Sequence, residues 1–154
     1  MDNVVEIIKK FFEKSSWKYE YSEEDRIFST KINMENALGS VGLFILLQED
    51  FYNVYVVLNS KIERKYYSSV AEFLHRANYG IIDGNFEMDY RDGEVRYKTF
   101  VNFKGSHVSE DIVGESIVTG LTMVNRYGKG LLKLALGDGE PEECIEYSEK
   151  NKEI

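Results

Sequence analysis

Imidazole and thiol groups are common building material for catalytic dyads and transition-metal sites, and this sequence offers three of them: His75, His107 and Cys144. A four-ligand zinc site needs more nitrogen or sulfur donors at short spacing than these provide. The helical period around residue 75 puts His75 on a polar helix side, and His107 falls in a loop, so both read as surface residues. Cys144 follows Glu142-Glu143, and neighbouring carboxylates raise a thiol's pKa rather than activate it. Gly128-Lys129-Gly130 has the composition of a phosphate-loop fragment, but neither the P-loop pattern nor the dinucleotide glycine pattern is completed, and no strand precedes it. A helix end or close helix packing explains it better. Asp83, Glu87, Asp89, Asp92 and Glu94 could offer carboxylates to calcium, yet their spacing is not that of an EF-hand loop. The sequence therefore leads us to expect no catalytic residues, no metal site and no cofactor.

What remains is a surface. Residues 41–47 and 52–58 alternate or run apolar like strands, and a turn at Glu49-Asp50 sets Leu43, Ile45 and Leu47 against Val56, Val54 and Tyr52 on one face. The opposite face carries Phe44, Leu46, Tyr55 and Val57 among Gln48 and Asn53, with Phe100 from a later strand near them. That is more apolar than a solvated sheet surface needs. Two readings stay open: a second core layer beneath the first or third helix, or an exposed patch that takes a second copy or another protein.

The elements that would hold this surface follow from periodicity. Val4, Val5, Ile7, Ile8, Phe11 and Phe12 recur at helical spacing over residues 3–15. Three strand-like segments follow at 27–34, 41–47 and 52–58, while a further short strand within 17–21 is left undecided. Val70, Phe73, Leu74 and Ala77 mark a second helix over 66–79, with Gly80 suited to a left-handed closing position. Asp92-Gly93 predicts a two-residue hairpin turn between 85–91 and 94–103, with Glu87 opposite Lys98, Asp89 opposite Arg96 and Arg91 opposite Glu94. Ser109-Glu110-Asp111 opens a third helix with Val113, Ile117, Leu121 and Val124 inward; it either breaks near Gly128 or uses its glycines for close packing. From residue 138 the chain is acidic and poor in apolar residues, and reads as a flexible tail. The order helix, three strands, helix, two strands, helix predicts an α+β fold with a mainly antiparallel sheet and helices on one side, in a single domain over 1–137.

Composition narrows the partners. With 27 acids against 19 basic residues the net charge is −8, so the average surface repels phosphate, which argues against nucleic acid and anionic membranes. No apolar run approaches the roughly 20 residues that span a bilayer, and the start lacks a basic signal region. A single cysteine gives no internal disulfide, and the expected compartment is the cytoplasm.

The stretch Phe73-Leu74-His75-Arg76-Ala77-Asn78-Tyr79-Gly80, then Gly84-Asn85-Phe86-Glu87-Met88-Asp89, then Asp92-Gly93-Glu94-Val95-Arg96-Tyr97 resembles the YbjN family of bacterial sensory transduction regulators, whose fold is like that of type III secretion chaperones. In that family a helix ending in Asn leads into a Gly-x-Phe-x-x-Asp strand and a short turn. The resemblance covers the order of elements over about 3–135. It implies the chaperone-like fold, a homodimer and a binding or regulatory role with a protein or peptide client, and it carries no catalytic residues. The candidate interface is Phe44, Leu46, Tyr55, Val57 and Phe100. The alternative is a small-molecule-sensing domain with an aromatic pocket between sheet and helices.

Overall fold

A computed structural model describes residues 2–150. The first helix, α1 (Asp2–Lys14), leads into four strands, β1 (Glu20–Ser22), β2 (Ile27–Asn33), β3 (Ser40–Leu47) and β4 (Phe51–Leu58). A short 3-10 turn at Arg64–Tyr66 opens α2 (Tyr67–Tyr79), and β5 (Asn85–Met88), β6 (Val95–Asn102), α3 (Glu110–Ala135) and α4 (Pro141–Glu149) follow. The strands form one antiparallel sheet in the order β1-β2-β3-β4-β6-β5. The expected α+β architecture is present, with one more strand and one more helix than the periodicity indicates.

Alternation along β3 and β4 decides which side is core. Val41, Leu43, Ile45 and Leu47 are buried, as are Tyr52, Val54, Val56 and Leu58 opposite them. The turn falls where Glu49-Asp50 predicts it, with the Gln48 amide donating to the Phe51 carbonyl at 2.8 Å. Val95, Tyr97 and Thr99 of β6, Phe86 of β5 and Phe28 of β2 extend the same buried layer. The helices cover it. Phe12 of α1 meets Phe28 with ring centroids 5.9 Å apart, and Phe86 packs between Tyr97 and Tyr127 of α3. Each buried Leu, Ile, Val or Phe in this layer contributes on the order of 1.5–3 kcal/mol through loss of apolar surface from water. Two polar groups buried there meet at Ser116 of α3: the Tyr52 hydroxyl lies 3.1 Å from its hydroxyl, and Thr99 donates to its carbonyl at 3.0 Å; the Tyr97 hydroxyl donates to the Asp83 carbonyl. Aromatic side chains fill the space between sheet and helices, where the small-molecule reading places its pocket.

Helix α3 begins as its cap predicts, the Ser109 hydroxyl accepting from the Ile112 amide at 3.2 Å. It does not break at Gly128. Its glycines sit at contacts instead: a Cβ on Gly120 would come within 2.8 Å of Val56, and one on Gly130 within 2.3 Å of the Ser148 hydroxyl and 2.6 Å of the Cys144 carbonyl.

Three expectations need correction. Residues 138–150 are not a flexible tail: α4 packs on α2 and α3 and buries Pro141, Cys144 and Ser148. A capping box between Glu140 and Glu143, with Pro141 in the first turn, starts this helix. Residues 151–154 lie outside the described residues. The β5–β6 register differs by two residues, with Phe86 opposite Tyr97 and Met88 opposite Val95. The connection spans Asp89 to Glu94 because the Asp89 carboxylate accepts from the Arg91 amide and its carbonyl from Gly93, giving a wider turn than Asp92-Gly93 alone. Gly93 has φ +80°, and its carbonyl accepts from the Ile62 amide, a distant segment that pins the loop. Gly80 closes α2 at φ −98°, so the left-handed expectation there fails. The open question at 17–21 resolves as β1, which overlaps that segment at Glu20 and Tyr21 and ends at Ser22.

Candidate functional site

Among the described residues, no layer lies on the side of the sheet turned away from the helices. The register arranges its residues in rows that cross the strands. One row runs Ser29, Phe44, Tyr55, Lys98, Asn85; the next runs Lys31, Gly42, Val57, Arg96, Glu87. A third runs Ile27, Leu46, Asn53, Phe100. All five residues expected at an interface, Phe44, Leu46, Tyr55, Val57 and Phe100, therefore share one face. Of the two open readings, the exposed patch is the one the fold presents: Phe44 keeps 38% and Phe100 52% of its surface in contact with solvent.

The rings lie low on the sheet. Phe44 bends along its own strand over Gly42, where an added Cβ would approach the ring to 2.7 Å. The Arg96 guanidinium stacks 4.2 Å from the centroid of Tyr55, and Phe51 meets Phe100 at 5.3 Å. Cation and ring thus form a flat, amphipathic platform, the kind of surface that binding interfaces favour. Beside it, Glu87 takes hydrogen bonds from Arg96 at 2.8 Å and from Lys98. Partial burial pushes the Glu87 carboxyl upward, but these two cationic donors outweigh it and hold its pKa below the usual value. One carboxylate between two cations, with Lys31 on the far flank, leaves these two rows with more positive than negative charge in an acidic protein. Lys31, Phe51, Arg96 and Lys98 belong to this platform although the apolar pattern did not single them out; the period of two along β2, β4 and β6 is the signal that could have found them.

The other reactive residues do not come together. His75 is exposed on α2 and His107 in the loop before α3. Cys144 is buried, and burial raises its thiol pKa. The acids around the β5–β6 turn are tied up locally, Glu87 with Lys98 as expected and the others with partners other than those expected. Glu87 holds both Arg96 and Lys98; Asp89 binds Arg91, which holds its carboxyl down to about 2; Asp92 pairs with Lys61. Among the described residues no group of three or more His, Cys, Asp or Glu side chains is placed to hold a metal ion. No described helix is long and apolar enough to cross a membrane.

Comparison with known proteins agrees with the fold. The model of the YbjN family, described as "Putative bacterial sensory transduction regulator", matches residues 5–133. No curated protein matches the chain. The crystal structure of YbjN from E. coli superposes with a TM-score of 0.58 at 6% identity, over 86% of this chain and 89% of that one. A chain from the crystal structure of the ExsC-ExsE complex superposes with a TM-score of 0.55 at 14% identity, over 81% of this chain and 92% of its own. At such identities the likeness is one of fold, and it is the chaperone-like α+β fold anticipated from the sequence.

Proposed function

This chain belongs to the YbjN family, and we propose on that premise that it is a non-enzymatic protein-interaction module, chaperone-like or regulatory, that works as a homodimer and binds through the bare side of its sheet. The observation that carries this reading is the continuous platform of Phe44, Leu46, Tyr55, Val57 and Phe100 on a sheet whose helices all lie on the other side. A fold that leaves large apolar groups in water on one contiguous face gains by covering them with another protein. Support for a protein client comes from the ExsC-ExsE structure, in which a chain of the same fold is found in a complex of two proteins. The reading assigns the protein to the cytoplasm, a reducing environment with which a single buried thiol is compatible.

Light scattering coupled to size-exclusion chromatography tests the reading. The wild type should elute as a dimer, and Phe44→Asp and Tyr55→Asp as folded monomers with unchanged far-ultraviolet dichroism. A monomeric wild type, or a dimer that survives both substitutions, would show that this face does not join two copies.

A further inference from the structure

On the helical side, away from the bare sheet face, a hollow of about 770 Å³ opens between α2, the loop 80–83, α3 and α4. Its volume lies in the range of ligand sites, roughly 300–1,000 Å³. One wall is α4, which supplies Ile145 and Glu149 one turn apart. That helix follows the last residue matched by the family model, so the hollow includes a wall that the family match does not cover. The wall is firmly placed: Cys144 and Ser148 are buried against Gly130, and Tyr127 donates to the Glu149 carboxylate at 2.9 Å.

The lining combines apolar ground with charges of both signs. Ile81, Met123 and Ile145 give the apolar part. Arg76 is engaged by Glu72 at 2.9 Å and Glu142 at 3.9 Å. Arg126, Asp83 and Glu149 also line the hollow, and among the described residues none of these three makes an ion pair. A guanidinium and two carboxylates are thus held around one cavity without neutralising one another. At its rim Tyr79 and Ile82 are 96% and 103% exposed, so nothing among the described residues covers them. A bound molecule with an apolar body, one carboxylate and one ammonium would satisfy each of these features. The carboxylate matches the forked donors of Arg126, the ammonium matches Glu149 or Asp83, and the body would rest on Met123 and Ile145 under Tyr79 and Ile82. We propose that this hollow is a binding site for short apolar peptides whose amino and carboxyl ends are both free.

Calorimetric titration of the full chain with trileucine, and with the same peptide acetylated, amidated or both, tests this. Free trileucine should bind at least tenfold more tightly than the doubly blocked form. Arg126→Gln should weaken trileucine at least tenfold and leave the amidated peptide unaffected, and Asp83→Asn with Glu149→Gln should do the same for the acetylated peptide. Met123→Trp, which fills the hollow, should abolish binding of every form. Equal affinity for free and blocked peptides, binding that survives Met123→Trp, or no heat with any of them would overturn the proposal. None of these variants touches the sheet face, so the light-scattering result and this one can fail independently.

Discussion

Residues 44 and 45 are neighbours in β3, yet they live in different solvents. Ile45 points into a layer where Val54, Phe28 and the helices leave it no exposure; Phe44, one residue earlier, lies across Gly42 and faces water. The inner side is almost wholly apolar and is filled; the outer side sets apolar residues among polar and charged ones and stays bare. On the inner side apolar groups are packed by the helices, and the Tyr52 and Thr99 hydroxyls meet at Ser116. On the outer side the same strands mix aromatic rings with Lys31, Arg96 and Lys98; the Arg96 guanidinium stacks over Tyr55, and Glu87 accepts from both Arg96 and Lys98. The inner side is therefore specified by shape, and the outer side by what it can hold against itself.

The same substitution on either side should break or sharpen this contrast most strongly. Ile45→Asp places an unpaired carboxylate in a fully buried layer, where losses beyond about 4 kcal/mol are expected from an uncompensated polar group. Urea titration should find this variant unfolded or nearly so. A native-like transition would mean the inner side is looser than its burial indicates. Next in size is Gly130→Val, which crowds Ser148 and the Cys144 carbonyl where α3 and α4 touch. Overpacking of this kind costs about 1–3 kcal/mol, and hydrogen exchange should locate the loss of protection in α4. Phe44→Asp should be tolerated within about 1 kcal/mol, the span of strand preferences at exposed positions, while altering association. If it destabilised as much as Ile45→Asp, the outer side would be core as well.

The smallest effect is electrostatic. Glu87 has its pKa lowered in the folded state by Lys98 and Arg96, so its ionisation stabilises the fold above the unfolded-state value near 4.3 and that stability is lost as pH falls through the lower folded value. Glu87→Gln should therefore be slightly less stable than the wild type at pH 7, and the two should converge on acidification toward pH 2. A gap that persists at low pH would point to shape rather than charge at this position.

What could be read in advance followed from local physics. The β3–β4 register was legible because a two-residue turn and two alternating strands allow only one pairing that keeps Leu43, Ile45 and Leu47 together. The platform of Phe44, Leu46, Tyr55, Val57 and Phe100 came from the same alternation. The β5–β6 register was not legible, since the turn is widened by the Asp89 carboxylate and pinned by Ile62, a contact from 31 residues away in the chain. Helix α4 was hidden by its composition: Pro141, Cys144 and Ser148 lie at helical spacing but are small or polar, and they bury well only because Gly130 lets the helix approach. The hollow beside α4 was unreadable for the same reason, as its walls are brought together by packing between helices distant in sequence. Whether the bare sheet face is covered in solution is a property of pairs of molecules and lies beyond any single chain's pattern.

The burial of Cys144 makes the protein its own reporter. The thiol donates weakly to the Asp138 carbonyl at 3.7 Å, and its raised pKa leaves little thiolate at neutral pH. A thiol reagent can modify it only in the fraction of molecules in which α4 has swung away, so the labelling rate, divided by that of an open cysteine peptide, measures the opening equilibrium of that one helix. A single sulfur atom thus allows the stability of the C-terminal helix to be followed separately from that of the sheet, without any added probe.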